Sequence, residues 1–262
     1  MTTPVIQNGL VVQGRVIGAV MLREIHTING NSKLGYLWVL IQSVFSIAVF
    51  WGLRAFMGAH APGGMSMALF LALGFGLWSV FSEGINKTMA AVEANRALLT
   101  FPQVTEFDVM LARVIVITAT QVLTTILIVC ASILFGAEFR PNGIVTGLGV
   151  LICSPLCALG IGMVFGSLAV FVPVITKLVP MTLRIAFFLS GVFFSISAFK
   201  QDIAEILLYN PILQAVELMR MSLHDSYVVD GLSFAYLSGF TLIVLVLGGF
   251  LERYVRSRRK DQ

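Results

Sequence analysis

Cys153 and Cys157 are the nearest approach to a reactive cluster in this chain: four residues apart, they share one face of a helix. Thiolates so spaced can hold a metal, but no His or carboxylate accompanies them. Cys130 brings the cysteines to three, an odd number inside apolar runs, so no disulfide framework follows. His26, His60 and His224 lie in three separate segments. Spacing assembles no nucleophile, base and orienting group, so neither a catalytic residue nor a metal site is expected. No Gly-x₄-Gly-Lys-Ser/Thr loop is present to cradle nucleotide phosphates. What remains are charge pairs. Glu93 with Arg96, and Glu217 with Arg220, stand three residues apart and can meet on one helix face. Such pairs position helices and make no bonds in a substrate.

The elements that position these residues are long apolar runs. Mean hydropathy is +0.94, and only 11% of the 262 residues are charged. A soluble domain of this size is hard to reconcile with those values. Crossing a hydrocarbon core of about 30 Å takes roughly 20 apolar residues. Runs at 36–56, 67–81, 114–135, 144–171, 181–196 and 234–251 each read as a helix near that length. The expected fold class is an all-α membrane protein with six transmembrane helices. The first run opens about 35 residues into the chain, later than an ordinary cleaved signal peptide.

Charge sets the expected orientation. With both termini in the cytoplasm and six alternating spans, Arg54, Arg140, Lys200 and Arg220 fall on the far side. The other 13 of the 17 basic residues (17 − 4 = 13) fall on or near the cytoplasmic side. That asymmetry is the positive-inside pattern of a multi-pass inner-membrane protein. The basic tail, 252–262, suits an anionic inner leaflet and carries no signature of nucleic-acid binding.

Between the spans, three segments have structure of their own. Within residues 1–35, Val16, Val20 and Met21 share a side while Arg15, Arg23 and His26 reach outward. This predicts an amphipathic helix at the membrane interface. Segment 83–113 is the longest internal cytoplasmic stretch, mixed in charge and Ala-rich at 89–99, and Pro102 halts its helix. Segment 197–233 is too apolar for a free outer loop and is broken at Asn210-Pro211. Two short helices forming a re-entrant hairpin before the last span fit both properties. In the fourth run, Gly160, Gly162 and Gly166 permit close helix approach. The spans hold no carboxylate in their apolar centres, contrary to an ion-coupled transporter. Uphill transport therefore needs energy from another chain. Two classes remain, a permease subunit driven by a separate ATPase and a passive membrane scaffold.

Three motifs carry a family resemblance. Met21-Leu22-Arg23-Glu24 followed by Lys33-Leu34-Gly35-Tyr36-Leu37-Trp38, then Phe101-Pro102-Gln103-Val104-Thr105-Glu106-Phe107-Asp108, and Tyr209-Asn210-Pro211-Ile212 running to Glu217-Leu218-Met219-Arg220 stand in that order. Together they resemble the inner-membrane permeases of bacterial capsular-polysaccharide export ABC transporters, of the ABC-2 type. The resemblance covers nearly the whole chain. It implies a homodimer of permeases with two copies of a cytoplasmic ATPase, which alone binds ATP and Mg²⁺; this chain needs no cofactor. It further implies a lipid-linked glycan as cargo, and a periplasmic adaptor and outer-membrane channel to receive it. Exporters of lipopolysaccharide O-antigen or teichoic acid share the layout.

On that reading a polar glycan needs a wet or aromatic path through the lipid. The expected lining is Tyr36, Trp38, Gln42 and Ser43 in the first span, Trp78, Ser79 and Ser82 in the second, and Phe187, Phe188, Phe193 and Phe194 in the fifth. Twelve spans from two copies enclose a sugar-wide channel where six barely do. Glu83, Lys87, Glu93, Arg96 and Pro102 are expected to serve ATPase coupling. Ile206, Asn210, Pro211, Ile212, Glu217 and Arg220 are expected to form an outer gate, with a partly exposed Glu217–Arg220 pair.

Overall fold

The computed structural model describes residues 9–29, 35–56, 58, 61–101 and 103–260. Pro102, Met1 and Gln262 lie outside the described residues, as does the side chain of Tyr36. The chain is all-α: no strand occurs among the described residues, and one isolated bridge joins Arg140 to His224. Five helices are long and apolar enough to cross a membrane.

Helix α1 (Gly9–Asn29) precedes α2 (Gly35–Phe56), the first expected span. Helix α3 (Met67–Met89) starts where the second span was expected, with Ser66 accepting from the Leu69 amide as N-cap. It runs eight residues beyond the expected end at 81, because Gly84, Ile85 and Thr88 remain buried against neighbouring helices. The helix expected around 89–99 is reduced to the single turn α4 (Ala91–Ala94). Helix α5 (Glu106–Leu134) opens with a reciprocal capping box between Thr105 and Asp108, eight residues before the expected span. Helix α6 (Ile144–Phe171) matches its expected bounds. Helix α10 (Phe234–Lys260) takes in most of the expected basic tail.

The structure departs most from expectation at the expected fifth span. Helix α7 covers Ile175–Leu189 rather than 181–196. Lys177, Pro180 and Arg184 lower the local hydropathy and hide its start from a hydropathy scan. Gly191, with φ of 73°, ends it in the left-handed conformation common after helices. Its 15 residues span about 22 Å, short of a full crossing. Segment 197–233 holds two short helices, α8 (Gln201–Leu207) and α9 (Pro211–Leu223), with the break between them at Asn210-Pro211.

Helix α3 is the centre of the bundle, packed against α5 and α6, while α6 lies along α10. The glycines of α6 permit this. A Cβ on Gly160 would stand 2.7 Å from the Leu245 amide nitrogen of α10, and one on Gly162 2.5 Å from Thr88 of α3. Helix α2 is the opposite case. Only 6% of its apolar window is buried, against 67% for α3, so most of its surface is open to lipid or to another chain. Cys130, Cys153 and Cys157 are free thiols, and no metal-ligand group occurs among the described residues.

Candidate functional site

Helix α9 forms because Asn210 caps it, accepting from the Ile212 amide, and Pro211 sits in the first turn where its missing N–H costs nothing. Ten of its 13 residues are buried, so it is no amphipathic surface helix. Glu217 and Arg220 pair at 3.4 Å with both side chains fully sheltered. The expected partly exposed pair is therefore corrected. Polar groups from three other segments converge there and satisfy the charges, which an exposed pair would not need.

Arg220 uses all its nitrogens. Nη1 donates to Gly191 O at 2.7 Å and Phe194 O at 3.4 Å. Nη2 donates to Val192 O at 2.9 Å and Phe70 O at 3.0 Å, and Nε to Phe70 O at 3.3 Å. The guanidinium centre also lies 3.5 Å from the centroid of the Phe70 ring. Gly74 leaves the room, since a Cβ there would come within 2.7 Å of Nη2. Glu217 Oε2 accepts from Tyr227 Oη at 2.6 Å and Ser195 Oγ at 3.5 Å.

Beside this network, Trp78 of α3 and Phe187 and Phe188 of α7 form one aromatic cluster with Phe193. Phe50 of α2 and Phe75 of α3 complete it, with the Phe50 and Phe193 rings 4.4 Å apart. Phe194, expected with them, packs instead on Phe199. Sequence reading missed Phe50 and Phe75. Phe75 stands four residues before Ser79 on one helix face, the available signal. It also missed Arg54, which donates to Phe193 O from the end of α2. A single cation closing an apolar run was the clue. Of the other expected lining groups, Trp38 and Gln42 are exposed on α2, while Ser43, Ser79 and Ser82 are half-buried. Of the expected gate, Ile206 is exposed and Ile212, Glu217 and Arg220 are in the core.

The opposite end of the bundle carries the expected coupling residues. Glu93 and Arg96 pair at 3.3 Å with most of both side chains exposed. They line a cleft of about 820 Å³ with Glu106 of α5, Pro173 of the α6–α7 turn, Thr176 of α7, and Val255 of α10. Glu83 lies away from that cleft and accepts from Gln121 of α5 at 3.1 Å. The Lys87 carbonyl accepts from Arg113 at 3.3 Å. Helix α1 is fastened to this end, with Arg23 donating to Asn95 Oδ1 and Gln13 to Asp108 Oδ1, each at 3.0 Å.

A bundle with five helices long and apolar enough to cross a membrane, an exposed charged turn at one end and a buried polar core at the other, fits a multi-pass membrane protein. The chain belongs to the ABC-2 type transporter family, whose sequence pattern matches residues 15–224. It is similar to the polysialic acid transport protein KpsM of Escherichia coli, 28% identical over 247 residues, covering 94% of this chain and 96% of that one. It is also similar to CtrC of Neisseria meningitidis serogroup A, a capsule polysaccharide export inner-membrane protein, at 25% identity over 92% and 91% of the two chains. BexB of Haemophilus influenzae, of the same description, is 24% identical over 92% and 91%.

Proposed function

We propose that this chain is the permease subunit of an ATP-driven exporter that moves capsular polysaccharide, lipid-linked at one end, across the bacterial inner membrane. The observation that carries the reading is likeness along more than nine-tenths of the chain to three capsule or polysialic-acid transport proteins. The subunit makes no covalent change in its cargo. Energy comes from two copies of a cytoplasmic ATPase that bind ATP and Mg²⁺ and dock at the Glu93–Arg96 turn. Glu83 and Lys87, in the last turns of α3, carry the movement inward. Helix α7 makes the fifth of six crossings together with the loop that follows it, α1 lies at the interface, and both termini face the cytoplasm. The 13-to-4 distribution of basic residues supports that orientation.

Two copies enclose the path, and the open surface of α2 supports a partner chain there. The exposed Phe188 and the half-buried Phe50, Phe75, Phe187 and Phe193, backed by Trp78 in the core, offer ring faces on which sugars slide without fixed hydrogen bonds. On the outer side a periplasmic adaptor and an outer-membrane channel receive the polymer. Deleting the gene tests the reading. Polymer made at the normal rate and retained inside the cell is the expected result. Reduced synthesis would instead identify a scaffold of the synthetic machinery, and chemical analysis of retained polymer separates capsule from O-antigen or teichoic acid.

A further inference from the structure

The stretch after α7 is non-helical, yet its carbonyls are not left to solvent. Four in succession accept from an arginine: Gly191, Val192 and Phe194 from Arg220, and Phe193 from Arg54. Backbone outside a helix at membrane depth is tolerated only where such groups are satisfied. Arg220 also holds Phe70 in the first turn of α3. One guanidinium thus joins α9, the start of α3 and the loop that carries Phe193 into the aromatic cluster. The far end of α9 is fixed as well. The Ser222 carbonyl accepts from the Asn142 and Gly143 amides at 3.1 and 3.0 Å, and Asp225 N donates to Arg140 O at 2.9 Å. Gln214 bonds both Leu208 O and Ser233 N at 3.0 Å. Helix α8 differs in kind: it has no buried residue, and Ile203 and Ile206 are exposed.

We infer that Arg220 is a positioning residue that makes α9 a fixed hub, holding the Phe193 loop in place through the transport cycle and leaving α8 as the part of the hairpin free to move. The inference rests on the exporter reading. A lysine cannot replace Arg220, because one ammonium lacks the planar fork that reaches four carbonyls on two segments. Swinging α9 outward would strip a buried ion pair of its partners, a cost no exposed contact repays. On this inference the break at Asn210-Pro211 separates a fixed helix from a mobile one.

A cross-link that leaves the Arg220 network intact, at the cost of one Ser222 Oγ bond to Met219 O, tests this in the full exporter. A Cβ on Gly143 would lie 3.6 Å from the Ser222 Cβ, within the usual disulfide range. Gly143→Cys with Ser222→Cys, in a chain with the three native cysteines replaced, should close spontaneously on the oxidising side. Surface polymer should match the cysteine-free parent before and after reduction. Export that falls about tenfold when the bond forms and returns on reduction would show that α9 moves, overturning the inference. Arg220→Lys should cut export by about tenfold while the ATPase still co-purifies. A nitroxide on Ser197→Cys should at the same time report a more mobile loop. Parent-level export with an unchanged spectrum in that variant would also overturn it; if the variant does not accumulate, the cross-link alone decides. Should gene deletion leave export intact, the exporter reading fails; should deletion retain polymer and the cross-link block it, only the hub fails.

Discussion

Arg113 of α5 meets Glu24 of α1 at 3.1 Å, each side chain about a tenth exposed, and the same guanidinium donates to the Lys87 carbonyl of α3. One ion pair therefore joins the N-terminal helix to two spans. Removing one member of a buried pair costs about 3–5 kcal/mol, whereas an apolar pair of similar volume is often tolerated. Glu24→Gln and Arg113→Met should each lower the thermal unfolding temperature of the purified protein. The double variant Glu24→Met with Arg113→Met should recover much of the loss. Additive losses would mean the two side chains are not coupled.

The contact between α6 and α10 should be intolerant of a single methyl group. In Gly160→Ala the new Cβ would meet main-chain atoms of Val244 and Leu245 within 2.8 Å, which cannot rotate away. Overpacking of this kind costs about 1–3 kcal/mol. Gly249→Ala, also on α10, meets nothing within 4 Å and serves as the control. It should change stability by less than about 1 kcal/mol, in the favourable direction if at all. Equal thermal shifts in the two variants would refute close packing at Gly160.

Docking of the ATPase should depend on Glu93 and Arg96 although stability does not. Both side chains are more than three-quarters exposed, so their pair adds little to the fold. Charge reversal at both, Glu93→Lys with Arg96→Glu, should leave the unfolding temperature unchanged and sharply reduce the ATPase recovered with the tagged permease. Undiminished co-purification would move the docking site elsewhere along the cleft.

Orientation follows from labelling in intact cells. On a background without native cysteines, Ser257→Cys should resist an impermeant maleimide and Ile206→Cys should react. Ser257 and Ile206 are both exposed, so access turns on the side of the membrane rather than on burial. Labelling of Ser257→Cys in sealed cells would invert the topology.

Ile206 on the free helix α8 also reports on the paired state. A disulfide or short linker between Ile206→Cys residues of two copies should form in the membrane and stop export until it is reduced. Unimpaired export with the two α8 helices joined would argue that α8 is a docking surface for a periplasmic partner rather than a moving part.

Periodicity and hydropathy alone were enough to read α2, α3, α6 and α10, because a helix in lipid must present apolar side chains on every exposed face. The break at Asn210-Pro211 was legible for an equally local reason, since capping and a proline first turn act within a few residues. The presence of Glu217 and Arg220 on one face was legible too. Their burial was not. It depends on carbonyls of Phe70, Gly191, Val192 and Phe194 and on the Tyr227 hydroxyl, which reach the pair only after α3, α7 and α9 have packed. The end of α7 at Leu189 was likewise hidden, because apolar residues continue past it while the backbone turns at Gly191. Composition tells which segments must leave water. Only tertiary packing decides where each backbone carbonyl finds its donor, and at Gly191–Phe194 those donors are arginines from two distant helices.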